Sequence, residues 1–171
     1  RSTLFPYTTL FRSPYSPHSN GYSLIRKLLK AGKATPTTRL GDTLLYDALL
    51  APTRIYVKAL LALAKVVPIH GIAHITGGGL TENIPRVVPD GLEVLLSAQT
   101  WQRAEVFDWL QKTGNIASAE MYKTFNCGIG MTITVAAEHV DKALKSLREN
   151  GEQPAVIGEI RRGSGGVVIH G

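Results

Sequence analysis

Ile75-Thr76-Gly77-Gly78-Gly79-Leu80-Thr81-Glu82-Asn83-Ile84-Pro85-Arg86 runs an apolar, strand-like segment into three consecutive glycines and then into a helix start. Glycine accepts positive φ and lets the backbone approach a ligand closely, while the unpaired N–H groups of a first helical turn favour an anion. The stretch therefore predicts a strand–loop–helix unit with a candidate phosphate cradle. It fits neither the Walker nor the dinucleotide-binding spacing. Three glycines also make an ordinary mobile turn, so spacing alone leaves both readings open.

Outward from this unit, hydrophobic period assigns the remaining elements. Residues 22–30 predict a helix with Leu24, Ile25, Leu28 and Leu29 on one face and Ser19 or Asn20 as its cap. Residues 44–50 predict a short helix. Residues 53–66 predict a longer one after Pro52, with Ile55, Leu60, Leu63 and Val67 inward. Residues 71–76 read as a buried strand and 92–96 as another. Residues 103–112 form a helix with Val106, Phe107, Trp109 and Leu110 on its apolar side. Residues 130–136 make a strand, 139–150 a helix ended by Gly151, and 155–160 and 166–170 the closing strands. Gly163-Ser164-Gly165-Gly166, beside Arg161 and Arg162, predicts a hairpin-like turn. Several connections are too short for a helical crossover, which implies α+β with a mixed β-sheet flanked by helices.

The 171 residues, 44% of them apolar, suffice for one core of ordinary domain size. The formal charge is +6; two of those charges, Arg1 and Arg12, lie in a segment set aside below, leaving +4 on residues 14–171. Lysine and arginine are dispersed along helical segments, the pattern of solvated faces. A small basic RNA-binding module stays as an alternative because the calculated pI is about 9.6. No apolar run is long enough to span a bilayer, and no signal-peptide pattern opens the chain, so a cytoplasmic location without membrane partners is expected. The single cysteine, Cys127, excludes an internal disulfide framework and a cysteine-cluster metal site, and no metal ligands are proposed. Between Asn126 and Gly128 it reads as a buried thiol rather than a nucleophile.

Two further segments carry chemistry: Pro17-His18-Ser19-Asn20-Gly21-Tyr22-Ser23-Leu24-Ile25-Arg26 and Phe125-Asn126-Cys127-Gly128-Ile129-Gly130-Met131. With the glycine stretch, and with Leu50-Ala51-Pro52-Thr53-Arg54-Ile55-Tyr56-Val57-Lys58 and Met121-Tyr122-Lys123-Thr124 between them, they resemble the C-terminal domain of the aminoimidazole ribonucleotide synthetase family, also called phosphoribosylformylglycinamidine cyclo-ligase. The resemblance runs from about Pro17 to about Ile160. It implies a mixed sheet with flanking helices and an ATP-dependent closure of formylglycinamidine ribonucleotide to aminoimidazole ribonucleotide. It also implies ATP and Mg2+ held chiefly by an N-terminal domain that this sequence does not match, and a homodimeric full enzyme. Other enzymes of the same superfamily, such as selenophosphate synthetase or thiamine-monophosphate kinase, are the alternative.

An imidazole beside a Ser-Asn-Gly turn can donate to phosphate and titrates near neutrality, so His18 is a candidate anion ligand or proton carrier; a turn or capping histidine is the other reading. The resemblance places His18, Ser19 and Asn20 in the cleft facing the ATP domain and makes the backbone amides of Gly77, Gly78 and Gly79 donors to the ribonucleotide phosphate. Asn83 and Arg86, three residues apart, share one side of the following turn. Arg86 suits a bidentate grip on phosphate, or is an exposed helix-end arginine. His74, inside an apolar segment, reads as a hydrogen-bonded core histidine. Residues 1–13 have the wording of a translated sequencing-adapter oligonucleotide and are expected to be a disordered artefact outside the fold, the lesser alternative being a short native β segment, which Phe, Tyr, Thr and Leu suit. The domain is then residues 14–171, and the fragment alone is expected to be inactive.

Overall fold

The sequence Met131-Thr132-Ile133-Thr134-Val135-Ala136 alternates β-branched or apolar side chains with threonines, and it becomes a deeply buried strand, its first five residues all buried. The computed structural model describes residues 7–10 and 16–171. Among these, the elements in chain order are β1 (Tyr7–Leu10), α1 (Tyr22–Ala31), β2 (Arg39–Leu40), β3 (Thr43–Leu44), α2 (Leu45–Leu50), α3 (Val57–Ala64), β4 (Gly71–His74) and α4 (Gly79–Asn83). There follow β5 (Leu92–Ser97), α5 (Glu105–Gly114), α6 (Ser118–Thr124), β6 (Met131–Ala136), α7 (Val140–Glu149), β7 (Val156–Arg162) and β8 (Val167–His170). The main sheet has the order β4-β6-β1-β7-β5-β8, antiparallel throughout except for the parallel β5–β8 pair; β2 and β3 form a separate ribbon. The fold is α+β with a mixed sheet, as the short connections imply.

The pleat puts Met131, Ile133 and Val135 of β6 on one face, where they pack with Ala59 and Leu63 of α3 and Ala143 and Leu147 of α7. A second cluster gathers Ala73, Ile75, Leu80, Ile84, Val94, Leu96, Ile129, Ile157 and Ile160. A third cluster is helical: Ile25 and Leu28 of α1, Leu45 and Leu49 of α2, and Val106, Phe107 and Leu110 of α5 close around Phe125 and Met121. Each fully buried leucine or phenylalanine in these clusters contributes about 1.5–3 kcal/mol.

The structure corrects several local expectations. Neither Ser19 nor Asn20 caps α1; the helix springs from Gly21 at φ 73°, whose carbonyl receives the N–H of Ile25 at 2.9 Å. Residues 51–56 stay outside α3, so the helix is shorter than 53–66 and Ile55 is 81% exposed instead of inward. Of residues 71–76 only Gly71–His74 form a strand, the edge strand β4, in which only Ala73 is buried and His74 is exposed. The Gly163–Gly166 segment is no hairpin. β7 and β8 lie on opposite sides of β5, and the segment crosses its end through Gly163 N–H to Gly91 carbonyl and Val94 N–H to Gly166 carbonyl, each 3.0 Å. Within the segment set aside above, Tyr7–Leu10 form β1 between β6 and β7, and are ordered there; residues 1–6 and 11–13 lie outside the described residues.

Candidate functional site

Three loops meet at one end of the sheet. The 16–21 loop enters α1, the 75–79 loop leaves β4, and the 126–130 loop feeds β6. Asn126 sews the first to the third: its Nδ2 donates to the Ser16 carbonyl at 3.1 Å, and its Oδ1 accepts from Gly128 N–H at 3.0 Å. The Ile75 N–H donates to the Gly130 carbonyl at 2.9 Å, joining the second to the third. Ser16 Oγ accepts the His18 N–H and donates to the Ala51 carbonyl, both at 3.4 Å.

This framework holds His18 in the left-handed region, at φ 54°, a conformation that costs a non-glycine residue about 1–3 kcal/mol and persists where its surroundings enforce it. Its side chain is buried, 4% exposed, and neither ring nitrogen has a hydrogen-bond partner among the described residues. Tyr56 and His74 stand around it with ring centroids 6.4 and 6.2 Å away, and they lie 6.1 Å from each other. Burial, and secondarily the neighbouring His74, pushes the His18 pKa down to about 4. At neutral pH the ring is therefore an uncharged imidazole with one N–H to give and one lone pair to receive. Gly130 makes room for it. A Cβ there would run into the Tyr56 hydroxyl and come within 2.7 Å of His18 Cε1.

Asn20 is half-buried and faces the glycine loop: its Oδ1 lies 3.7 Å from where a Cβ on Gly77 would stand. Ser19 is exposed beside it. Gly78 takes φ 95° and Gly79 φ 57°. Gly79 is turned inward, since its N–H donates to the Thr76 carbonyl at 3.0 Å and a Cβ would collide with the Tyr122 carbonyl of α6. Asn83 is likewise internal to the loop. Its Nδ2 donates to the carbonyls of Thr76 (3.3 Å), Gly77 (3.2 Å) and Gly79 (2.8 Å), and its Oδ1 accepts from Thr76 Oγ1 (3.2 Å) and from Arg86 Nη1 (3.3 Å). The expected Asn83–Arg86 side is present, but Asn83 braces the loop. The Glu82 carboxylate also sits over Gly78, 2.6 Å from a hypothetical Cβ, with Lys123 Nζ at 3.9 Å.

Sequence reasoning missed Tyr56, His74 and Gly130 as neighbours of His18. Tyr56 lies just before a helix and His74 in a strand-like run, positions that ordinarily read as core; only the third dimension brings them to the 16–21 loop. Cys127 is a buried thiol, pushed up to about 12 mainly by burial, with a φ of 48° in the turn before β6.

The family described as AIR synthase related protein, C-terminal domain, matches residues 13–171. The chain belongs to this family. Over 150 residues, 87% of the chain, this AIR synthase related domain is 53% identical to the phosphoribosylformylglycinamidine cyclo-ligase of Chromobacterium violaceum, and it spans 44% of that relative's length. Its fold is similar to that of E. coli HypE, a hydrogenase maturation protein (TM-score 0.64, 15% identity, 99% of this chain and 48% of that one). It is also similar to thiamine-monophosphate kinase from Stenotrophomonas maltophilia (TM-score 0.60, 16% identity, 95% and 49%). At such identities the two structures speak to the fold.

A cavity of about 600 Å3 opens elsewhere on the AIR synthase related domain, between α2 and α5, lined by Asp47, Arg54, Arg103, Glu105 and Val106 among others. It contains none of the candidate substrate-site residues His18, Ser19, Asn20, Gly77, Gly78, Gly79, Asn83 and Arg86. Arg54 is held there by Glu152 Oε2 at 2.9 Å and the Gly151 carbonyl at 2.7 Å. Among the described residues there is no group of three or more His, Cys, Asp or Glu side chains placed to hold a metal ion. No helix among them is long and apolar enough to cross a membrane.

Proposed function

We propose that the chain is the C-terminal domain of a phosphoribosylformylglycinamidine cyclo-ligase and forms one wall of the site for formylglycinamidine ribonucleotide. The observation that carries this reading is the 53% identity to such an enzyme, reinforced by the convergence of its three motifs on an unpartnered, buried imidazole. In the reaction, ATP supplies the phosphoryl group that activates the formyl oxygen; the amidine nitrogen attacks and phosphate leaves. Positioning and electrostatic preorganisation dominate such chemistry.

On this reading neutral His18 gives or accepts one hydrogen bond to the substrate. Asn20, the amides of Gly77 and Gly78, and the Arg86 guanidinium face its phosphate, with Ser19 at the rim. Gly79 and Asn83 hold the loop in shape from behind. Lys123, 3.9 Å away, partly offsets the negative charge of Glu82. ATP and Mg2+ are assigned to the remainder of the enzyme. The full protein is proposed to be cytoplasmic and homodimeric. Leu50, Ile55, Val57 and Leu61, 59–81% exposed, offer an apolar face for its other half.

Joining the N-terminal half of the Chromobacterium violaceum enzyme before Pro17 tests the proposal. The fusion should convert formylglycinamidine ribonucleotide and ATP to aminoimidazole ribonucleotide, and the unfused chain should not. A folded, ATP-binding fusion without turnover would overturn it.

A further inference from the structure

The family-matched residues 13–171 build a sheet that they do not complete. They supply β4 and β6 on one side and β7, β5 and β8 on the other, and among the described residues the hydrogen-bonded ladder joins the two halves through β1, which precedes the matched range. β1 is antiparallel to both neighbours. Tyr7 to Leu10 run opposite Ala136 to Ile133 of β6, and opposite Ile160 to Val156 of β7, with a register slip between Thr9 and Leu10.

Both flanks of this gap carry core side chains. Thr132, Ile133, Thr134 and Val135 on β6 and Ile157 and Ile160 on β7 are buried, while Val156 and Glu159 on β7 are exposed. An empty gap would leave two facing rows of N–H and C=O groups without strand partners, a state folded proteins avoid. Hydrogen bonding across a sheet is made by the main chain, so what the gap demands is an extended, proline-free segment. A Tyr-Thr-Thr-Leu segment meets that demand through β propensity.

We infer that the gap between β6 and β7 is a strand-accepting site, recognising an extended peptide through its backbone, and that its occupant, the Tyr7–Leu10 segment, can be supplied by a separate chain. The inference stands apart from the proposed enzymatic role, since the gap lies in the sheet and not among the loops around His18.

The test uses the full-length chain carrying Thr8→Pro and Thr9→Pro, which removes two strand N–H donors and disables the chain's own occupant. A fluorescein-labelled synthetic peptide spanning residues 3–14 is then added. The expected result is a lower urea midpoint for the variant, saturable peptide binding by anisotropy, and recovery of the midpoint toward that of the unaltered chain. A peptide with a different alternating Val/Thr core should restore it equally, and one with the two prolines should not. The unaltered chain, its gap filled, should bind the peptide at least tenfold more weakly. Hydrogen exchange should slow at Thr132–Val135 and Gly158–Ile160 when peptide is added. An unchanged midpoint in the proline variant would show that β1 does not complete the sheet. Failure of the peptide to bind or rescue, even if the variant is largely unfolded, would show that the site does not accept a strand in trans. Either result overturns the inference.

Discussion

His18 and His74 tilt toward each other with ring centroids 6.2 Å apart, the first buried and the second at the surface. Burial disfavours protonation of His18, and the neighbouring His74 acts in the same direction. The pair thus keeps one uncharged imidazole inside the loop cluster across the physiological pH range.

The linked prediction concerns acid stability. The folded His18 pKa of about 4 lies below the ordinary 6.5, so between these values the unfolded chain binds more protons than the folded one. Stability from this group is therefore present above about pH 6.5 and is lost as pH falls toward 4. Urea midpoints should drop over that window, and the drop should shrink in His18→Gln. By NMR, His74→Asn should raise the His18 pKa only part of the way to 6.5, because burial is the larger cause. A His18 resonance titrating near 6.5 in the unaltered chain would contradict the buried placement.

Gly130→Ala probes the packing of the same imidazole. Its new methyl group would press on the Tyr56 hydroxyl and His18 Cε1. Overpacking of this kind costs about 1–3 kcal/mol. The urea midpoint should fall accordingly, and pairing Gly130→Ala with Tyr56→Phe, which removes the hydroxyl, should recover part of the loss. No recovery would mean that the strain lies elsewhere.

Asn83→Ala should unmake the glycine loop. The side chain gives Nδ2 to three carbonyls and Oδ1 to two donors, and it is buried. Leaving those groups unmatched costs about 1–3 kcal/mol. Asn83→Asp, of nearly the same shape, should fare no better, since a carboxylate would face the carbonyls of Thr76, Gly77 and Gly79. Amide exchange at residues 76–80 should rise in both variants. Protection equal to that of the unaltered chain would remove Asn83 as the brace.

The helices whose apolar faces repeat every three to four residues were legible in the sequence, as were β5, β6 and β7. Their period is long enough to stand out, and Gly151 at φ 82° ends α7 as its sequence suggests. The two-residue strands β2 and β3 were not, because a period cannot be read from two residues. Ile55 and the 163–166 segment misled for a different reason: local pattern does not say which strand will lie between two others, or where a chain stays extended before a helix. At the site, His18, Asn20 and the glycines were visible as motifs. The inward turn of Gly79, the bracing by Asn83 and the approach of Tyr56 and His74 are products of chain crossing, with no local signature.

Glu82 decides between the two readings of the glycine loop. Its carboxylate lies over Gly78, with Lys123 Nζ at 3.9 Å as an exposed and therefore weak counter-charge. A phosphate received by Gly77, Gly78 and Arg86 would feel that negative charge. In the fused two-domain enzyme, Glu82→Gln should then lower the KM for formylglycinamidine ribonucleotide by roughly two- to fivefold, the scale of a partly exposed charge pair. It should leave kcat and the KM for ATP unchanged. The gain should fade as ionic strength rises, because screening removes the repulsion in the unaltered enzyme. Inorganic phosphate, tested as a competitor of the ribonucleotide, should follow the same trend. Steady-state kinetics at low and high salt would measure all of this. If ribonucleotide and phosphate constants are both indifferent to Glu82, the loop is an ordinary turn braced by Asn83, and the phosphate is held elsewhere on the wall.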